Sequence, residues 1–189
     1  MAPIEILTKL GVLNTGHFKL TSGRHSDRYM QCAKLFEHPT ESATLCALLA
    51  DGFKKDAGRI DAVAGPAIGG IIMAYEVARA LGVRNIFAER ENGVMTLRRG
   101  FKVEPGERVL VVEDVVTTGG SAKEVVELLR GMGAEIAGVG SVVDRSNGAV
   151  DFGVTFRSLV PLDIKSWDSD ACPLCKKGIP TAKPGSRNI

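Results

Sequence analysis

Apolar positions fall into two kinds of run along this chain. Short runs at 61–64, 85–88, 109–112 and 136–143 are strand-like. The one at 109–112 is β-branched, follows the turn signal Glu104-Pro105-Gly106-Glu107, and reads as a strand buried on both faces. Between these runs, apolar residues recur at i, i+3, i+4 and i+7, the period of an amphipathic helix. Such spacing predicts helices through Leu45, Leu48, Leu49 and Phe53, through Ile71, Ile72, Tyr75, Ala78 and Leu81, and through Ala122, Val125, Val126 and Leu129. A shorter helix over 3–10 starts at Pro3 and stops at Gly11, and alternation around Phe18 and Leu20 before Ser22-Gly23 suggests a hairpin. Phe152, Val154 and Phe156 alternate in a final strand expected within 151–165. Strands alternating with helices, with glycine turns at strand ends, predict an α/β fold with an open, mostly parallel sheet flanked by helices. No internal repeat or linker divides residues 1–189, so a single domain is expected.

Composition narrows the partners more than the fold. A chain of 189 residues with 44% hydrophobic residues, 24% charged residues and a net charge of +2 has the balance of a soluble globular protein and no basic footprint for nucleic acid. No apolar run approaches the roughly 18–20 residues of a membrane span, and the amino terminus lacks a secretory pattern, so a cytoplasmic location is expected. Cys32, Cys46, Cys172 and Cys175 are too few and too scattered for a secreted disulfide scaffold. The Cys172-Pro173-Leu174-Cys175 pair offers two zinc ligands where a structural site needs four. Completing such a site takes Cys32 and Cys46, histidines or a second subunit, and zinc, redox and plain structural roles all stay open. No metal ligand is assigned.

The chemistry concentrates after 109–112, in Glu113-Asp114-Val115-Val116-Thr117-Thr118-Gly119-Gly120-Ser121. The hydroxyl- and glycine-rich turn opens the helix through Ala122. Free backbone N–H groups and the positive end of the helix dipole make a natural phosphate seat there. The two acids would repel that phosphate and are better acceptors for sugar hydroxyls, so a ribose 5-phosphate suits the layout. The plain alternative is a βα turn in which Thr118 or Ser121 caps the helix. No Walker A motif occurs, and Gly138-Val139-Gly140 lacks the third glycine of a dinucleotide fingerprint.

This stretch resembles the signature of the type I phosphoribosyltransferases. Phe18-x-Leu20-x-Ser22-Gly23-Arg24 followed by Ser26 narrows the resemblance to the orotate phosphoribosyltransferase family. The resemblance implies a reaction in pyrimidine biosynthesis, transfer of the phosphoribosyl group of phosphoribosyl pyrophosphate (PRPP) to orotate. It also implies a small hood from residues 1 to about 35 over an α/β core at 36–165, with a tail at 166–189. In its terms Glu113 and Asp114 are the catalytic acids that hold the ribose hydroxyls. Val115, Val116, Thr117, Thr118, Gly119, Gly120 and Ser121 line the PRPP site with Arg90, while Thr117, Arg145 and Arg24 contact orotate near Tyr29 and Met30. The turn at 65–70 matches the pyrophosphate loop. Residues 89–100 match a mobile loop that serves the neighbouring site of a homodimer, with Arg90, Arg98, Arg99 and Lys102 as its cations; the plain alternative is a solvated hairpin. Mg2+ would come with PRPP and pyrophosphate. The chain departs from the pattern at Thr21 and Gly69, where lysines are common, and in the cations of 89–100. The alternatives are a purine phosphoribosyltransferase and a non-catalytic PRPP-sensing regulator on the same fold.

Overall fold

The computed structural model describes residues 1–20 and 22–184; Thr21 and the end of the tail lie outside these residues. Six strands form the main sheet in the order β5-β4-β3-β6-β7-β8. They are β3 (Ala62–Pro66), β4 (Arg84–Glu91), β5 (Val94–Leu97), β6 (Arg108–Val116), β7 (Glu135–Asp144) and β8 (Phe156–Pro161). All pairings are parallel except that of edge strand β5 with β4. The helices are α1 (Pro3–Lys9), α2 (Pro39–Asp56), α3 (Gly69–Leu81), α4 (Gly120–Gly131) and the short α5 (Pro173–Lys176).

Central strand β6 shows why the sheet needs helices on both sides. Leu110 and Val112 pack with Leu45, Leu49 and Phe53 of α2 and Met73 and Val77 of α3. Val109 and Val111 face the other way, into the cluster formed with Ala122, Val125, Val126 and Leu129 of α4. All four strand residues are fully buried. Burying such side chains contributes about 1.5–3 kcal/mol each, which fixes the register of β6 and therefore the position of whatever follows Val112. The two glycines of Gly138-Val139-Gly140 serve packing: a Cβ on Gly140 would stand 3.0 Å from Phe53 and Leu49 side-chain atoms, and one on Gly138 2.6 Å from Phe53.

The hood is a second sheet of three strands, in the order β1-β2-β9. Here β1 (Leu13–Lys19) and β2 (His25–Met30) form an antiparallel hairpin with an irregularity between Thr15 and Phe18. From the far end of the chain, β9 (Ser166–Trp167) pairs with His25 and Ser26. A 3-10 turn over Cys32–Glu37 then connects the hood to α2.

Two segments differ from expectation. Residues 89–100 are mostly a hairpin and not an irregular loop: β4 and β5 pair from Ala88↔Leu97 to Glu91↔Val94. The connecting Asn92 and Gly93 both have positive φ, 51° and 84°, the backbone that a two-residue primed turn requires and that Asn-Gly supplies. The strand expected within 151–165 begins only at Phe156, because Gly153 takes φ 65° and its N–H donates to Asp151 Oδ1 at 2.8 Å, turning the chain where alternation suggested a strand. Among the described residues no helix is long and apolar enough to cross a membrane.

Candidate active site

The carboxyl edge of the sheet gathers the ends of β3, β6 and β7, where open α/β sheets bind ligands. Strand β6 runs on beyond its apolar core through Val116, so both acids project from a strand and their directions alternate. Glu113 faces the α4 side, into a polar cavity of about 270 Å³ with Thr117, Thr118, Gly119, Gly120, Ser121 and Arg90. Asp114 faces the α3 side, into a largely apolar cavity of about 370 Å³. Val115 lines both.

The polar cavity is a turn held open at a helix N-terminus. Gly119 takes φ 73°, and a Cβ there would lie 2.6 Å from Val150 Cγ1, so glycine is required. The N-cap of α4 is Gly119, so neither Thr118 nor Ser121 takes the cap position, and the first turn of N–H groups faces the cavity, where the Ala122 N–H meets Glu113. Arg90 reaches the same cavity from β4, held by Glu124 at 2.7 Å. Val116 does not: its side chain is fully buried on the α4 side, and its carbonyl accepts the Arg145 N–H at 2.7 Å.

The apolar cavity joins hood and core. Met30, Cys32 and Phe36 approach from the hood and the 3-10 turn, Ile68 and Ile72 from the α3 side, and Arg145 from the end of β7. Arg145 Nε is buried and has no hydrogen-bond partner among the described residues, a donor awaiting an acceptor. The neighbouring Asp144 does not pair with it; Asp144 Oδ1 accepts the Ser146 N–H at 2.7 Å. Gly69 has a role of its own, since a Cβ there would stand 2.7 Å from Asp114 Oδ2. The carboxylate packs directly on the turn at the start of α3.

Other sequence candidates stand elsewhere. Arg24 is outside both cavities because its guanidinium is committed to the chain's far end, donating to Ser166 O at 2.8 Å, Ser166 Oγ at 3.0 Å and Asp168 at 2.7 Å. Thr117 lines the polar cavity only. Tyr29 stacks on Phe18, with ring centroids 5.8 Å apart, and leaves the cavity wall to Met30. Arg98 and Arg99 pair with Glu89 and Glu91 along the hairpin. Sequence reasoning missed Cys32, Phe36, Ile68 and Ile72 as cavity walls. Their only signal is apolar character, in connecting segments for Cys32, Phe36 and Ile68 and in the predicted helix for Ile72.

Burial decides the charge of the acid pair. Desolvation, and then the Asp114 charge, push Glu113 up to about 7, against weaker pulls from the Ser121 side chain and the Ala122 N–H. Asp114 is also raised by burial, less so because the Val115 N–H donates to it at 3.0 Å. A Glu113 pKa raised in the folded state means that the folded protein binds more protons than the unfolded chain between pH 4.5 and about 7. Stability from this group is complete below that window and is lost as pH rises through it. Since the cavity opens to solvent, the loss amounts to about 2 kcal/mol. Urea unfolding at several pH values should show it in the wild type and not in Glu113→Gln; superimposable pH profiles would contradict it.

Together these features define the class: the fold is that of the type I phosphoribosyltransferases, with a phosphate-type cradle, an acid pair and an apolar cavity in a row. The family model "Phosphoribosyl transferase domain" matches residues 33–152. An orotate phosphoribosyltransferase of Caldanaerobacter subterraneus subsp. tengcongensis is 62% identical over 98% of this chain and 97% of its own. One of Pelotomaculum thermopropionicum is 60% identical over the same shares. Among solved structures, orotate phosphoribosyltransferase from Aeropyrum pernix aligns with a TM-score of 0.71 at 29% identity, covering 84% of this chain and 92% of that one. The chain belongs to the orotate phosphoribosyltransferases of the phosphoribosyltransferase family.

Proposed function

We propose that the protein transfers the 5-phosphoribosyl group of PRPP to orotate, forming orotidine 5-monophosphate and pyrophosphate in the synthesis of pyrimidine nucleotides. One observation carries this reading: the end of β6 separates a polar cradle from an apolar cavity, and one carboxylate faces each. A ribose lying across 113–115 has its 5-phosphate on the N–H groups of 117–121 and its anomeric carbon toward the apolar cavity. Orotate fills that cavity with its carboxylate on Arg145, where a guanidinium offers two parallel bonds. Displacement at the anomeric carbon builds positive charge on the sugar, which Glu113 and Asp114 stabilise while holding the hydroxyls. Orotate's ring nitrogen attacks as an anion, so no general base is required. Arg90 adds a cation beside the phosphate.

Magnesium accompanies the reading. Glu113 and Asp114 are joined by no third protein ligand among the described residues, the one group of three or more His, Cys, Asp or Glu side chains being elsewhere. That donor set would suit an ion carried by substrate phosphates and water, which would supply positive charge beside the pyrophosphate. The turn at 65–70 would meet this pyrophosphate with main-chain N–H groups. A homodimer is part of the proposal: Ile68, Ile72, Tyr75 and Val94 leave apolar surface exposed on the first turns of α3 and at the hairpin tip, and the hairpin would reach the neighbouring site. The location proposed is the cytoplasm. Relatives named for orotate favour it over a purine base, and a net charge of +2 gives no support to a nucleic-acid-binding regulator.

The test is nucleotide formation by the purified protein with magnesium, PRPP and a panel of pyrimidine and purine bases, with light scattering on the same preparation. Turnover with orotate and a two-chain mass are expected. No turnover with orotate would refute the function, and a monomer that turns over would refute the shared hairpin.

A further inference from the structure

Away from both cavities, the hood and the tail bring four side chains to one point. His17 comes from β1, His25 from β2, and Cys172 and Cys175 bracket the start of α5. Their donor atoms all lie within 4.8 Å of one another. His17 Nε2 stands 2.9 Å from His25 Nδ1, 3.5 Å from Cys172 Sγ and 3.7 Å from Cys175 Sγ, and His25 Nδ1 stands 3.2 Å from Cys175 Sγ. Zinc with ordinary Zn–N and Zn–S bonds spaces its tetrahedral ligands about 3.3–3.8 Å apart. The observed edges scatter around that range. We propose that this Cys2His2 cluster is a structural zinc site that clamps the tail to the hood.

Three further observations support it. First, His17 Nδ1 lies 2.7 Å from the Ile179 carbonyl oxygen. An N–H at Nδ1 donating to that carbonyl leaves the Nε2 lone pair directed at the cluster, the outer-shell arrangement common for ligating histidines. One lone pair cannot serve the three neighbours around Nε2, but it can serve a single cation among them. Second, both thiols are free, and two thiolates neutralise a divalent ion; binding releases their protons to solvent. Third, beyond the Arg24–Asp168 ion pair the tail has little else to hold it. Between 168 and 184 only Cys172 is buried, so apolar burial contributes almost nothing there. The pair of bonds Lys19 N–H to Ala182 O (2.9 Å) and Ala182 N–H to His17 O (2.8 Å) aligns the tail with β1 but is open to competition from water.

Hairpin geometry explains how His17 and His25 meet. His25 is the register partner of Lys19, and His17, at the irregularity between Thr15 and Phe18, is brought beside it with ring centroids 4.9 Å apart. Four protein ligands leave no open coordination position, which makes the site structural and not catalytic. It shares no residue with either cavity. By fixing β2, which ends at Met30 in the apolar cavity, it positions the wall against which the base would lie.

Full-length protein produced with zinc in the medium should carry about one zinc per chain by elemental analysis. Cys175→Ser, at the exposed corner, and His25→Ala should each lose it, while Cys46→Ala, buried in α2, should retain it. Cobalt exchanged into the wild type should give the visible absorption of a tetrahedral thiolate complex, absent in Cys175→Ser. A strong chelator should lower the wild-type melting temperature by about 5–10 °C and leave that of Cys175→Ser unchanged. Wild-type protein that binds neither metal, or binds it equally well after Cys175→Ser, overturns the proposal. Should His25→Ala fail to fold, Cys175→Ser decides alone.

Discussion

Asp114→Asn lowers kcat/KM for PRPP by about 100- to 1000-fold, the scale on which removing one well-placed charge from a transition state acts. The substitution is nearly isosteric, and the position is held from two sides, by the Val115 N–H at 3.0 Å and by Gly69, which has no room for a Cβ. Geometry therefore survives and charge alone is lost. Because burial already disfavours the Asp114 charge, the variant should melt no lower than the wild type, which separates the catalytic loss from unfolding. Glu113→Gln makes the useful contrast. With Glu113 pushed up to about 7, about half of the wild type is neutral there at pH 7 and about nine-tenths at pH 6, so the loss should grow about tenfold between about pH 6 and about pH 8. An Asp114→Asn enzyme within threefold of wild type, measured by steady-state kinetics at saturating orotate, would remove the proposed role.

Arg145→Ala raises KM for orotate by about 30- to 150-fold and KM for PRPP by less than threefold. A charge-assisted, two-point contact to a carboxylate is worth about 2–3 kcal/mol, and the apolar walls offer the ring no replacement for it. The arginine's Nε has no hydrogen-bond partner among the described residues, so its removal orphans no carboxylate. Thermal stability should hold or rise, unlike the usual cost of breaking a buried ion pair. Equal rises in both Michaelis constants would mean that Arg145 shapes the site without gripping the base.

The sheet and the glycine turn after β6 were legible because their signals are local. The 109–112 run, the glycines at 119–120 and the period of Ala122, Val125, Val126 and Leu129 each report on neighbours in sequence, and each element formed where its pattern lay. Tertiary pairing was harder to see. Arg24 reads as a free cation in Ser-Gly-Arg, yet its partners Ser166 and Asp168 are more than 140 positions away. His17 and His25 look like ordinary hairpin residues until Cys172 and Cys175 arrive beside them. Gly69 is an instructive case: the missing lysine reads as a lost cation, whereas the structure shows the place already taken by Asp114. The hairpin at 89–97 was readable in principle from Asn92-Gly93, but polar, glycine-bounded composition favoured a loop.

The hood sheet has an implication for the order in which the protein can be completed during synthesis. Strands β3 to β8, which carry the acids and the cradle, come from one unbroken stretch of chain and can assemble as it leaves the ribosome. The hood hairpin precedes these strands in the chain, but its third strand is Ser166–Trp167, so the sheet stays unfinished until β8 has been translated. Nascent chains therefore acquire the two acids and the 117–121 turn before the hood sheet is complete, and a chain truncated before Ser166 keeps the first without the second.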